Sequence, residues 1–354
     1  MDANEINDKR VKKEFSGKTF SGYKKADAKK QLTNAIMAGR IEPANYWCAE
    51  YICAGHFSDL WEIILTIASK NIHHGNPKLP IYLEMRMDGF KEIVVNGYID
   101  NEIKMRNNSR IRKLFCEIIC ILCFSQKKHS YDSIKITQME FDITEIKHRL
   151  HADTLNYISP TFMKDDPKEC LIAGNELAYC VHKNGKNTND ACYWVEWISE
   201  FESVCKKKKT LIKCERRSKM PVNSKDQMDL IWIVWDIILH ESTNRDKLTR
   251  KIIKSLLSLF CLKYTNNNKK KRKYIIYYAV ALLTEKVDLN ISLNNQNQVI
   301  SKVQEKVDVI YREVKKNEVK PDTDYLFNNV GKSNLDKTIE KLEKMQNMTF
   351  IPRS

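Results

Sequence analysis

A short helical segment occurs twice in this chain, and this internal repetition constrains the fold more than any other feature. Residues 44–50 and 191–197 each contain a Tyr-Trp pair with an alanine before it and a glutamate after it. Further on, residues 112–115 are echoed by residues 250–253, and both begin with Arg-Lys and continue into an apolar run. Because repeats of this kind are supersecondary units that pack on each other, the pattern predicts a duplicated helical module.

Helical periodicity and capping signals run along most of the chain, which we expect to be all-α. Asp190 is expected to cap the second Tyr-Trp helix, and Ser224 with Gln227 to form a capping box before the next helix. Alternation at residues 133–137 allows one short strand in a less regular region. The predicted architecture is two tandem, related helical units, built as bundles or helix pairs, with a basic N-terminal arm and a polar C-terminal helix.

Composition and turn residues divide the chain into five expected segments. These are a flexible basic arm (1–22), helical unit 1 (23–130), an irregular connector (131–165), helical unit 2 (166–289), and an amphipathic helix with a loose tail (290–354). In the last segment, apolar residues at steps of three and four form a narrow stripe, namely Val299, Val303, Val307, Ile310 and Val314. Such a stripe suits docking on this chain's own flank or on a partner helix.

The composition excludes several classes of protein. With 354 residues, the chain can bury one large core or two cores of ordinary size. No apolar run is long enough to span a bilayer, and the first residues lack the apolar stretch of a secretory leader. The eleven cysteines include several inside apolar helical runs, such as residues 116–123, which favours reduced thiols in an intracellular compartment.

The net charge of +15 is concentrated in three segments. Residues 9–30 and 206–219 each have a balance of +7, and residues 263–273 carry six basic residues and no acidic one. The remainder of the chain is therefore slightly acidic. Segregated positive charge indicates a polyanionic partner more strongly than a uniformly basic surface does.

Two of these basic segments connect helices of unit 2, and their placement predicts a shared surface. If four helices run alternately up and down, the first and third connections lie at the same end. Phosphate contacts add up there without sequence specificity. The predicted nucleic-acid-binding residues are Lys206, Lys207, Lys208, Lys209, Lys213, Arg216, Arg217, Lys219, Lys269, Lys270, Lys271, Arg272 and Lys273. Solvated loops or a nuclear localisation signal are the alternative interpretations.

Aromatic residues adjoin one of these connections. Tyr274, Tyr277 and Tyr278 follow the second Lys-rich run, and aromatic rings beside a cationic loop are a common way to hold single strands. The tryptophans, in contrast, recur at helical spacing among aliphatic residues, which predicts that they belong to the core.

Three other patterns suggest chemistry, and each has a simpler interpretation. Residues 16–19 read Ser-Gly-Lys-Thr, but Lys12 stands where a phosphate-binding loop needs its first glycine. The cysteines of residues 120–123 lie within a helix among apolar neighbours, which favours buried thiols over a zinc site. Glu50 and Glu196 could form a catalytic pair, although ion pairs within each unit fit better. We therefore predict no enzyme activity, no cofactor and no metal.

A family resemblance rests on the first Tyr-Trp helix (42–49), Gly55, and the segments 67–72 and 75–77. These residues resemble the C-terminal region of the MgsA/RarA (Werner-helicase-interacting) AAA+ ATPases, which is a helical collar of the clamp-loader type. The resemblance implies a helical oligomerisation module linked to DNA replication or repair. The family's acidic pair is replaced here at residues 70–71, and its ATPase part is missing, so no ATPase activity is implied.

In its Lys-, Asn- and Ile-rich style, the whole chain is also similar to uncharacterised proteins of large double-stranded DNA viruses of protists (giant viruses). This resemblance implies a viral origin and a location in the host cytoplasm or a viral replication compartment, with the nucleus as an alternative.

Our hypothesis is a non-enzymatic, nucleic-acid-associated accessory or scaffold factor in viral DNA replication or repair, which binds DNA rather than RNA. Unit 1 or the stripe at 299–314 would serve self-association or a protein partner. The alternative is a helical-repeat scaffold in RNA metabolism or translation that binds a protein partner and RNA.

Overall fold

The computed structural model describes residues 4–99 and 101–319, which form thirteen α-helices and no strand. The helices are α1 (Lys25–Met37), α2 (Ile41–Cys53), α3 (Phe57–Ile67), α4 (Leu79–Val95), α5 (Ser109–Phe124), α6 (Leu171–Val181), α7 (Thr188–Lys207), α8 (Ile231–Ser242), α9 (Lys247–Cys261), α10 (Asn266–Lys271), α11 (Lys273–Thr284), α12 (Asn297–Glu305) and α13 (Val307–Lys315). The all-α prediction is confirmed. The tail predicted beyond residue 319 lies outside the described residues.

The first half of the fold is built around α2, whose buried positions are largely small. Ala44, Cys48 and Ala49 are buried, and they allow α1, α5 and α13 to approach the helix closely. Gly55 then turns the chain in the left-handed region, with φ of +73°, so that α3 can return against α2. This first Tyr-Trp helix is therefore the scaffold on which the half is assembled.

The second half is built around α8, which is apolar on almost every side. Trp232 and Trp235 are fully buried within it, and α6, α7, α9 and α11 surround it. A helix with apolar residues all round must be covered all round, which explains this central position.

The halves share a pattern of neighbouring helices. The pairs α1–α2, α2–α3, α2–α5 and α4–α5 are in contact, and so are α6–α7, α7–α8, α7–α11 and α9–α11. By these contacts, α5 of the first half corresponds to α11 of the second half. The similar sequences at residues 112–115 and 250–253 would instead make α5 correspond to α9. The duplication itself stays a prediction, and the structure favours a different register for its second part.

The halves are joined through a continuous hydrophobic core. α4 packs along α9, and α11 packs against Ala68–Ile72, a π-helical segment that follows α3. The hydroxyl of Tyr278 on α11 lies 3.4 Å from the carbonyl oxygen of Pro77. Units 1 and 2 therefore pack as one body instead of behaving as separate domains.

The N-terminal arm is packed, contrary to the expectation of a flexible segment over residues 1–22. Within its described part, Ile6, Phe15 and Phe20 are fully buried. The amide of Val319, at the other end of the described chain, donates to Asp8 Oδ2 at 2.8 Å. The sequence did not indicate that these three residues are buried, because they are separated by lysines and follow neither a helical nor a strand period.

The connector has 3-10 turns and extended chain but no strand at residues 133–137. Tyr131, Ile146 and Ile158 are buried, and the indole Nε1 of Trp197 donates to the Glu140 carbonyl oxygen at 2.7 Å. These contacts hold the connector against the second half.

The C-terminal stripe docks on this chain. α12 packs against α5 and α13 against α2, and Val307, Tyr311 and Val314 are buried. Val299 is 39% exposed, because Ile300 and not Val299 lies on the buried side of α12. A partner helix cannot use this stripe while it is covered, so the predicted self-association through 299–314 loses its surface.

Two predicted helix starts are formed differently. The side chain of Asn187, and not Asp190, caps α7 by accepting the Asp190 amide at 3.1 Å. Gln227 donates through Nε2 to the Met220 carbonyl oxygen at 3.1 Å, and α8 begins only at Ile231. The predicted capping box is therefore absent from this part of the described chain, since Gln227 is used to fold the preceding loop.

Candidate nucleic-acid interface

The two basic connections of the second half lie at one end of the helices. Lys206, at the end of α7, donates to Asn266 Oδ1 at 3.1 Å, and Asn266 begins α10. Between them, Asp229 accepts from Tyr264 at 2.7 Å and from Lys269 at 3.1 Å. The segment 206–230 and the segment 262–272 are thereby joined, so the common end proposed from the sequence is formed.

Seven cations are exposed at this end. We call them the basic rim: Lys206, Lys207, Lys208, Lys209, Lys263, Lys270 and Lys271. Within the described part of the chain, only two of them contact carboxylates, since Lys206 lies 3.0 Å from Glu202 and Lys207 lies 3.7 Å from Glu200. The Lys207–Glu200 pair is exposed and therefore weak, so a phosphate can compete for Lys207, whereas Lys206 stays beside the buried carboxylate of Glu202.

Lys269 is a predicted site residue that faces inward. Its side chain is 7% exposed and contacts Glu202 and Asp229. Both carboxylates are themselves mostly buried, so the three charges form a local network inside the rim. A lysine held in this way positions the loop and has no free charge for a phosphate.

Arg217 and Arg272 are likewise internal. Arg217 has a side chain that is 1% exposed and pairs with Asp166 and, at 2.8 Å, with Asp236. The two carboxylates raise the pKa of Arg217 despite its burial. Arg272 pairs with Glu62 of α3 and donates to the Phe260 carbonyl oxygen at 2.9 Å. As with Lys269, carboxylates already neutralise both guanidinium groups, which removes them from the candidate interface.

The remaining predicted residues flank the rim. Lys213 and Lys219 are exposed, and Arg216 donates to Gln227 Oε1 at 2.7 Å within its own loop. Lys273 is half-buried and lies 3.3 Å from Glu196. These four residues can add to the field of the rim, while the seven rim lysines form its accessible part.

Two rim lysines occupy strained backbone positions. Lys209 and Lys263 have φ of +57° and +41° where α7 and α9 end. Glycine commonly occupies such helix ends because a side chain costs about 1 kcal/mol or more in the left-handed region. The chain therefore carries charge at both places where stability alone favours glycine.

The tyrosines beside the rim are mainly core residues. Tyr277 and Tyr278 are each 1% exposed, which contradicts their proposed use for stacking. Tyr274 is half-buried, with the ammonium groups of Lys70 and Lys273 4.7 and 5.6 Å from its ring centre. Of the three rings, Tyr274 alone is partly accessible.

The other candidate sites are structural. At the Ser-Gly-Lys-Thr segment, the Lys18 carbonyl oxygen lies 2.7 Å from His56 Nε2. This contact ties the segment to the N-terminus of α3. The cysteines of residues 120–123 are buried, and burial raises the pKa of the Cys123 thiol to about 12. Among the described residues, no group of three or more histidine, cysteine or acidic side chains could hold a metal ion.

Glu50 and Glu196 have separate partners. Glu50 is fully buried and accepts the Ser21 amide at 2.9 Å, while Glu196 contacts Lys273 and accepts from Tyr277 at 2.7 Å. The expected ion pair is thus formed by Glu196, and Glu50 is held by hydrogen bonds from the arm. Each carboxylate stabilises its own half.

A cavity of about 360 Å³ beside the rim was missed by the sequence analysis. It lies between α3, α4 and the connection that carries Lys263 and Lys271, with Trp61 and Phe90 in its wall. Its members come from three distant segments, so no local spacing could have indicated it. The sequence signal closest to it is Trp61, which helical periodicity assigns to the core.

Comparison with known proteins gives no relative: no family model, no curated protein and no solved structure matches this chain. Among the described residues, no helix is both long and apolar enough to span a bilayer. The geometry of the site is therefore the basis on which a function can be assigned.

Proposed function

We propose that this protein is a non-enzymatic nucleic-acid-binding accessory factor whose basic rim contacts the phosphates of DNA in viral DNA replication or repair. The observation that carries the proposal is the convergence of two lysine-rich connections at one end of the second half. Seven exposed ammonium groups at one end match the repeating charge of a nucleic acid backbone.

The internal ion pairs support this proposal, because they fix where the rim lies. Glu202 and Asp229 hold Lys269 between α7 and α8, so the two connections are anchored to the helices. Charges on anchored loops lose less conformational freedom on binding than charges on mobile ones. The strained positions of Lys209 and Lys263 add support, since backbone strain is concentrated at functional sites.

A collar-like scaffold role would use other surfaces than the segment that resembles the MgsA/RarA family. Most of residues 42–77 is buried within this chain, including Ala44, Ile52 and Ile64. Self-association through that segment would require it to leave the core. We therefore propose nucleic-acid binding as the main function, and a protein partner would bind the outer helices.

The test is fluorescence anisotropy with labelled single-stranded DNA, duplex DNA and RNA of equal length at about 50 mM salt, where phosphate contacts are strong. One variant replaces Lys208, Lys209, Lys270 and Lys271 with Gln. A matched control replaces Lys29, Lys30, Lys251 and Lys254, which are exposed on α1 and α9. We expect a loss of tenfold or more in affinity for the rim variant and a small change for the control.

Equal losses in the two variants would mean that net charge, and not the rim, attracts the polyanion. A clear preference for RNA would replace the DNA proposal with the alternative of an RNA-binding scaffold. Absence of binding by all three nucleic acids would remove the proposed function.

A further inference from the structure

The cavity beside the basic rim has the features of a binding site for a flat aromatic group. Phe57, Trp61 and Phe90 stand in its wall, with the Phe57 and Phe90 ring centres 5.6 Å apart. Leu65 and Met87 add apolar surface. Its volume of about 360 Å³ lies at the lower end of the range for small-molecule sites.

Trp61 contributes its ring, and no hydrogen bond, to the cavity wall. Trp61 is 4% exposed, and its indole Nε1 is itself buried and has no acceptor among the described residues, as is also true of Trp194 and Trp235 in the core. A ligand in the cavity would therefore be held by contact with the rings and by charge.

Two acidic residues of the cavity wall are already paired with basic residues. Glu62 is neutralised by Arg272, and Asp59 by Lys25. Lys263 and Lys271 also line the cavity and belong to the basic rim. A phosphate on the rim and an aromatic group in the cavity can therefore be parts of one ligand.

We infer that this cavity receives a nucleobase of a single-stranded nucleic acid whose backbone lies on the basic rim, an inference that rests on the proposed function. The base packs against Trp61 and Phe90, while Lys263 and Lys271 contact the adjoining phosphates. Stacking on aromatic side chains tolerates any base, because every base has a π face.

The test compares a single-stranded DNA of mixed sequence with an oligomer of equal length in which every base is absent. Both carry the same phosphates, so a pure charge interaction binds them equally. We expect the normal oligomer to bind about five- to a hundredfold more tightly, which is the range of aromatic stacking per base. Equal affinities would overturn the inference and leave the proposed function standing, whereas no binding of either oligomer at about 50 mM salt would remove both.

Two variants locate the effect. F90L removes a ring on which the base packs, and we expect it to weaken binding of the normal oligomer about fivefold or more without changing that of the abasic one. V94W places a large ring in the cavity from α4 and should abolish the difference between the oligomers. Circular dichroism and thermal unfolding establish that both variants fold.

A fluorescent long-chain carboxylate serves as the competing probe. If it binds with the same sensitivity to V94W while the oligomers do not differ, the cavity takes an apolar anion and the inference is wrong. If it does not bind, and V94W still removes the preference for bases, the inference is supported.

Discussion

Lys269 on α10 pairs with Glu202 on α7, and this buried contact joins the two basic connections of the second half. Lys270, the next residue, is exposed. Two identical side chains in one lysine run therefore have different roles, one in folding and one at the surface.

Replacement of these neighbouring lysines by Ala separates the roles. Lys269→Ala removes the buried partner of Glu202 and Asp229 and leaves Glu202 only the more exposed Lys206, and we expect the free energy of unfolding to fall by about 3 kcal/mol. Lys270→Ala should change it by less than about 0.5 kcal/mol but weaken DNA binding several-fold. Urea denaturation and anisotropy on the two proteins check this pair. A stable Lys269→Ala protein with weakened binding would show that Lys269 acts at the surface.

Glycine at a strained rim position should stabilise the fold. Lys209 has φ of +57°, so Lys209→Gly relieves left-handed strain, and we expect a gain of about 0.5–1 kcal/mol together with weaker DNA binding. Lys208→Gly is the control, because Lys208 has φ of −78° and gains nothing. Unfolding in urea measures both changes. A loss of stability in Lys209→Gly would mean that its side chain makes a contact worth more than the strain.

Acid should destabilise the protein through histidines at the junction of the halves. Burial lowers the pKa of His74 to about 3. This effect is larger than the opposite effect of the Glu285 carboxylate, which lies 3.3 Å from His74 Nδ1. Burial also lowers the pKa of His73. Below the unfolded value of 6.5, the unfolded state binds more protons, so stability is full above pH 6.5 and is lost as the pH falls, by up to about 1.4 kcal/mol per pH unit through His74, with a further loss through His73.

Denaturation at several pH values between 6.5 and 5, above the range of most carboxyl groups, measures this slope. His74→Gln should reduce it, while substitution of the exposed His148 should leave it unchanged. An unchanged slope in His74→Gln would mean that the ring is protonated in the folded protein.

The C-terminal helices should contribute strongly to stability. Tyr311 is 2% exposed, and the Arg112 guanidinium lies 4.1 Å from its ring centre. Tyr311→Ala leaves a cavity beside α2, and we expect a loss of about 3–5 kcal/mol. Val309→Ala, at a position 53% exposed, should cost less than about 0.5 kcal/mol. A small effect of Tyr311→Ala in thermal or urea unfolding would indicate that α13 detaches readily.

Local patterns predicted the helices well, because each pattern depends on residues within one or two turns. The apolar sequence of α8, for example, indicates a buried helix without knowledge of its neighbours. The register of the second half was harder, since residues 250–253 resemble residues 112–115 locally while α11 takes the place that matches α5. Packing partners, and not local likeness, decide such a correspondence.

The candidate site was predictable only in part. The position of the rim followed from the alternation of helix direction, but the lysine run does not reveal which side chain meets a carboxylate. Lys269 and Arg272 are buried because Glu202 and Glu62 lie on helices distant in sequence. The cavity at Trp61 depends on the same long-range packing.

The most direct test of the central claim is the salt dependence of single-stranded DNA affinity for the natural protein and for the Lys208, Lys209, Lys270 and Lys271 to Gln variant. Each phosphate contact contributes about 0.7 to the slope of log affinity against log salt concentration. We predict a steep slope for the natural protein and a slope smaller by roughly 3 for the variant, with the control lysine variant unchanged. Identical slopes for all three proteins would contradict the account.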